Sequence, residues 1–204
     1  MGSINILGIE GPKGAGKDTV FNMIKDMSPL PVKRFAFADN LKKELARDMK
    51  LDIKILHGTQ EQKDQTLTQY NWEEPRFGWC RNGRKGPITY REMMTLWGRM
   101  KGTYYWLNSL FSEIYYHNTE HPEDIIIITD VRFDEEAKAI QAAGGSLLLV
   151  DGVVTGEHND DPSEKGGLDY DFIVPGKGKA PKNQTRAELI DIMWAAFGIN
   201  CKGR

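Results

Sequence analysis

The sequence predicts an α/β fold in three layers (α/β/α), with helices packed on both sides of a mostly parallel sheet, and three observations carry that prediction. Apolar runs of strand length alternate along the chain with segments of helical period, the order that gives right-handed crossovers between parallel strands. Four consecutive isoleucines, Ile125 to Ile128, read as a strand covered on both faces, as strands of parallel sheets are. Between the first strand and the first helix stands Gly11-Pro12-Lys13-Gly14-Ala15-Gly16-Lys17. It fits G-x-x-x-x-G-K in the strand-loop-helix context that motif requires, which makes the fold of P-loop NTPase type.

Taken in order, Ile4 to Glu10 is a buried strand ending in glycine and proline. Lys17 to Met27 places Val20, Phe21, Ile24 and Met27 at helical spacing. Val32 to Ala38 alternates as a second strand, and Asn40 to Met49 is helical with Leu41, Leu45 and Met49 on one face. Residues 51 to 87 are polar, with glycines and aromatics and no sustained period, and read as an irregular insertion or lid. Thr89 with Glu92 three residues on is a capping-box pattern that opens a helix, and a second helix follows from Tyr105 to Tyr116. After the isoleucine strand, Phe133 to Ala143 is helical and stops at Gly144-Gly145; Ser146 to Val150 and Phe172 to Val174 are strands. Thr185 with Glu188 repeats the capping-box pattern and opens a last helix through Phe197.

At 204 residues the chain reads as a single domain, 1–204, carrying an insertion or lid about 51–104 that is irregular or helical and suits substrate binding. With 40% hydrophobic and 27% charged residues it is ordinary globular material, not a disordered chain. A net charge of −2 argues against long nucleic acid as a partner. The charge is uneven: residues 76 to 101 hold seven Lys/Arg against Glu92 alone, while 120 to 169 hold thirteen Asp/Glu against three Lys/Arg. A basic segment in a near-neutral chain suits a small polyanion. Cys80 and Cys201 make no disulfide framework, no apolar run approaches membrane-spanning length, and the expected location is cytoplasmic.

The chemistry-bearing residues follow from the loop. Glycines let backbone N–H groups of Gly11, Lys13, Gly14, Ala15 and Gly16 turn inward on phosphate oxygens, Lys17 reaches the outer phosphates, and the helix N-terminus favours anions. Asp18 stands where Ser or Thr is usual after the lysine, with Thr19 next; either one is the group nearer a metal. Asp130 closes the isoleucine strand, as a carboxylate that positions Mg²⁺ or as a strand-end cap for the next helix, and Arg132 follows as a phosphate partner or a surface ion-pair residue. Asp39 is a helix N-cap or a substrate contact, with Lys42 beside it. Arg91 and Arg99 are candidates for an acceptor phosphate, and Trp97 for core packing or for stacking on a base.

The run Gly11-x-x-Gly14-x-Gly16-Lys17-Asp18-Thr19, then Phe-Ala-Asp39-x-Leu-Lys42, then Arg91 with Trp97-Gly98, then Thr-Asp130-Val-Arg132-Phe resembles the phage deoxynucleoside monophosphate kinases. A late His158 and Ser163-Glu164 belong to the same pattern, whereas Trp97-Gly98-Arg99-Met100-Lys101 departs from the family's usual Gly-Thr-Glu and arginine. The resemblance implies transfer of the ATP γ-phosphoryl group to a deoxynucleoside 5′-monophosphate, with Mg²⁺, by a homodimer in the cytoplasm of an infected cell. Its rivals are a phosphomevalonate-type kinase, similar in the Gly-Lys-Asp variant and a late Ser-Glu, and a P-loop NTPase switch. The switch is disfavoured because no Asn-Lys-x-Asp base-reading segment occurs.

Overall fold

The computed structural model describes residues 4–152 and 168–201. His158, Ser163 and Glu164 lie outside the described residues. Two compact units emerge, one formed by the described residues up to Phe37 and from Leu110 onward, the other by Ala38–Ser109.

The first unit holds a five-stranded sheet in the order β2-β5-β1-β6-β7. Its strands are β1 (Ile6–Glu10), β2 (Val32–Phe35), β5 (Ile125–Ile128), β6 (Ser146–Asp151) and β7 (Phe172–Pro175). Every pairing is parallel, with Leu7 opposite Ile127 on one side and Ser146 on the other. Alternation along the strands sorts side chains to two faces. Leu7, Ile9, Ile125, Ile127, Leu148 and Val150 pack with Val20 and Ile24 of α1 (Lys17–Met27) and with Leu189 and Met193 of α8 (Lys182–Phe197). On the opposite face Gly8 lies against α7 (Asp134–Ala142): a Cβ there would come within 2.7 Å of Ile140 Cδ1. Helices on both faces make the three layers. Each fully buried isoleucine of β5 contributes on the order of 1.5–3 kcal/mol, so this strand needs no further device to fix its place.

Helix α8 starts at Lys182 rather than at Thr185, three residues ahead of the capping-box pattern. Pro181 supplies the N-cap position, and the Thr185 hydroxyl donates to the Pro175 carbonyl at 2.9 Å. The hydroxyl is turned toward a tertiary acceptor from inside the helix instead of capping its start. Likewise α2 (Phe37–Asp48) begins ahead of Asp39, which sits inside its first turn and is not the N-cap.

The second unit gives form to the stretch without sequence period. After α2 come α3 (Ile53–Leu56), α4 (Gln60–Gln65), an antiparallel pair of β3 (Leu67–Asn71) and β4 (Pro87–Thr89), and α5 (Tyr90–Lys101). Thr59 caps α4 through a full capping box with Gln62, and Thr89 does the same for α5 with Glu92. Trp72, Phe77, Ile88, Tyr90 and Met93 form a core with Leu45 and Met49 of α2. Helix α6 (Thr103–Glu120) follows, longer at both ends than the sequence pattern suggests. No helix among the described residues is long and apolar enough to cross a membrane.

Candidate active site

The loop after β1 is shaped by backbone that other residues avoid. Gly16 adopts φ 101° at the N-cap of α1 and offers no side-chain cap, so the first-turn amides of α1 point at a place suited to an anion. Ala15 is fully buried and fixes the loop, its carbonyl accepting from the Lys177 amide at 2.8 Å. Two glycines make that approach possible. A Cβ on Gly152 would fall 2.5 Å from Ala15 Cα, and one on Gly176 would fall 2.4 Å from the Ala15 oxygen. Both obstacles are backbone, which cannot swing aside. Gly176→Ala is therefore expected to cost about 1–3 kcal/mol, the range of an overpacked interior, read as a lower urea midpoint; an unchanged midpoint would mean that the strand ends and the loop move freely apart.

Lys17, the first residue of α1, turns its ammonium back onto the loop, donating to the Gly11 carbonyl and to the Pro12 carbonyl at 3.1 Å. Burial pushes its pKa below the ordinary lysine value, and the neighbouring Arg132 pushes the same way. Asp18, Glu10 and Asp130 act in the opposite sense. One cation thus feels three carboxylates and a guanidinium, which brings Lys17, Asp18, Asp130 and Arg132 of the sequence reading into one electrostatic neighbourhood. Asp18, Thr19 and Lys13 are exposed along the loop and first turn. Asp130, half-buried after β5, accepts from the Phe37 amide at 2.9 Å through one oxygen and so anchors the start of α2.

Three residues of this neighbourhood escape sequence reasoning. Glu10, the last residue of β1, is buried and accepts from the Tyr170 hydroxyl. Burial raises its pKa, with the Tyr170 bond working against that rise. Glu136 of α7 is buried too, and one of its oxygens accepts from the Arg132 amide at 2.7 Å and the Phe133 amide at 3.1 Å. Burial raises its pKa to about 7. A charged residue closing an apolar strand was the visible signal for Glu10; a glutamate three positions after Phe133 was the signal for Glu136. Tyr170 gave none.

In the second unit Asp39, Arg91 and Trp97 have partners. Asp39 pairs with Lys42 at 3.0 Å. Arg91 pairs with Asp64 at 3.0 Å, and Arg99 is exposed. Trp97 is half-buried, packed against the second core, and donates to Glu44 at 3.1 Å. Glu44 also accepts from Tyr105 at 2.7 Å and pairs with Lys101 at 3.0 Å. Trp97 thereby shares the Glu44 carboxylate with Tyr105 and Lys101, its ring N–H committed to Glu44. The basic stretch is better compensated than its sequence suggests: Arg76 meets Glu74, Arg84 meets Glu92, and acids from outside the stretch meet Arg91 and Lys101.

A parallel sheet of this order, with a G-x-x-x-x-G-K loop leading from its central strand into a helix, defines a three-layer P-loop fold. No family model matches the chain. Over 161 residues it is 28% identical to a protein of Acanthamoeba polyphaga mimivirus named "Putative deoxynucleotide monophosphate kinase", an alignment covering 78% of this chain and 80% of that one. Among solved structures it is similar to a mutant APS kinase of Mycobacterium tuberculosis, with TM-score 0.48, 11% identity, and coverage of 95% of this chain and 99% of that one. It is also similar to the tunicamycin resistance protein of Deinococcus radiodurans, with TM-score 0.49, 13% identity, and coverage of 98% and 99%.

Proposed function

We propose that the chain is an ATP-dependent phosphotransferase that moves the γ-phosphoryl group of ATP to a deoxynucleoside 5′-monophosphate, releasing ADP and the diphosphate. The observation that carries this reading is the phosphate loop itself, with a desolvated Lys17 set among Asp18, Asp130 and Arg132. The choice of acceptor is supported by the mimiviral relative's name.

The residues divide the work as phosphoryl transfer demands. Loop amides and the N-terminus of α1 hold the donor phosphates, and Lys17 leaves its loop carbonyls to meet the oxygens on which charge builds. Arg132 stabilises the transferring group from the β5 side. The acceptor is already an anionic oxygen, so no residue need act as a general base. Arg91 and Arg99 are assigned to the acceptor phosphate, Arg91 exchanging its pair with Asp64 for the ligand. Asp18 and Asp130 fit Mg²⁺, since both offer hard carboxylate oxygens and both act on Lys17. When bound, the ion neutralises phosphate charge and helps orient the donor.

The test is a panel of dAMP, dGMP, dCMP and dTMP with their ribose counterparts, a non-nucleotide phosphomonoester and a no-acceptor control, each with Mg-ATP, reading ADP release. ADP should appear only when a deoxynucleoside monophosphate is present. ADP release without an acceptor, or only with a non-nucleotide phosphate, would overturn the reading.

A further inference from the structure

The edge of the sheet opposite the phosphate loop carries a second constellation, where α6 turns into β5. His117 and His121 lie one helical turn apart, with ring centroids 4.7 Å apart and the His121 amide bonded to the His117 carbonyl at 2.9 Å. Pro122 then reverses the chain, and the Asp124 amide closes the turn on the His121 carbonyl at 3.2 Å. This brings one ligand atom each from His121, Glu123 and Asp124 within 4.8 Å of one another.

Asp124 is buried at 7% exposure, and its carboxylate is held by His117 Nε2 at 2.9 Å. His121 and Glu123 are exposed. A buried acid fixed by His117 thus has two exposed side chains beside it. From His117 to Thr129 the sequence holds three acids and no lysine or arginine, and among the described residues no lysine or arginine pairs with Glu123 or Asp124. The acids at this corner therefore have imidazole neighbours and, among the described residues, no lysine or arginine as an ion-pair partner.

We infer that His121, Glu123 and Asp124 form a binding site for a divalent transition-metal ion, with Zn²⁺ the best match. An imidazole nitrogen with two carboxylate oxygens is a borderline donor set that favours Zn²⁺ over Mg²⁺ or Ca²⁺. Zinc bonds of about 2.0–2.2 Å put tetrahedral ligand atoms about 3.4 Å apart, so the two exposed side chains need only small rotations to draw in. His117 is a positioning residue: its bond to Asp124 orients the carboxylate, as outer-shell partners of metal ligands do. The site is remote from the phosphate loop and does not depend on the proposed kinase activity.

The test uses the full chain, stripped by chelator and without nucleotide, titrated with ZnCl₂ by calorimetry and with Co²⁺ as a visible probe. Wild type should bind one ion at this site, with a cobalt spectrum free of sulfur charge transfer. Both His121→Ala, which should abolish that binding, and Glu123→Gln, which should weaken it, alter exposed side chains and should keep the metal-free thermal midpoint. His117→Gln should weaken binding by about 10–100-fold, the usual effect of losing an outer-shell partner. No zinc binding by wild type, or binding undiminished in His121→Ala, would overturn the assignment.

Discussion

Lys17→Ala should lose ~10²–10³ in kcat, the usual loss when one preorganised donor to developing charge is removed, while its thermal midpoint stays close to wild type. The two halves of that expectation come from the same geometry. Within the loop the ammonium is bonded to the Gly11 and Pro12 carbonyls, yet it is desolvated and lies near Arg132. Burial and Arg132 oppose its charge; Asp18, Glu10 and Asp130 favour it. Opposed contributions of this kind leave little net stability to lose. In phosphoryl transfer the balance changes, because the triphosphate adds anionic oxygens where these charges already meet. Steady-state kinetics at saturating ATP and acceptor, beside a thermal melt, checks both halves. Near-normal kcat would remove Lys17 from the chemistry, and a sharp fall in midpoint would make it a clamp on the loop.

What could be read from the sequence was what depends on near neighbours. The isoleucine run, the glycine loop and the Thr89–Glu92 capping box each rest on a few adjacent residues, and each lies where the pattern puts it. The second unit was harder because β3 and β4 are 5 and 3 residues long, too short for a period to register, and their core is completed by α2 and α5. Charge along the chain misled for a related reason. The stretch from 76 to 101 looks uncompensated until Glu44 and Asp64 arrive from elsewhere in the unit to meet Lys101 and Arg91. Glu10 shows the limit most clearly, since its partner Tyr170 is 160 positions away. Of the candidate site, the loop and Asp130 were legible as motifs. The buried acids around them depend on contacts that no local pattern records.

Glu136 provides the sharpest pH test, because its charge is disfavoured by burial yet held at a place where neither of its bonds requires a charge. The carboxyl is 6% exposed, and its pKa stands at about 7 against an ordinary 4.5. Between those values the folded chain keeps a proton that the unfolded chain releases, so stability from this group is complete below about pH 4.5 and is lost as pH rises through 7. A gap of about 2.5 pH units, at ~1.4 kcal/mol each, puts the loss on the order of 3 kcal/mol by pH 8. The Arg132 and Phe133 amides both donate to the same oxygen, and a glutamine oxygen can accept both. Glu136→Gln should therefore match wild type near pH 4.5 and exceed it at pH 8 by up to about 3 kcal/mol. Glu10 also has a raised pKa and slopes the wild-type curve the same way, but it is common to both proteins and cancels in the difference. Urea midpoints of the two proteins across pH 4.5 to 8 decide the matter. Parallel curves would mean that Glu136 is ionised throughout, its charge compensated by Arg132 and the helix start rather than penalised by burial.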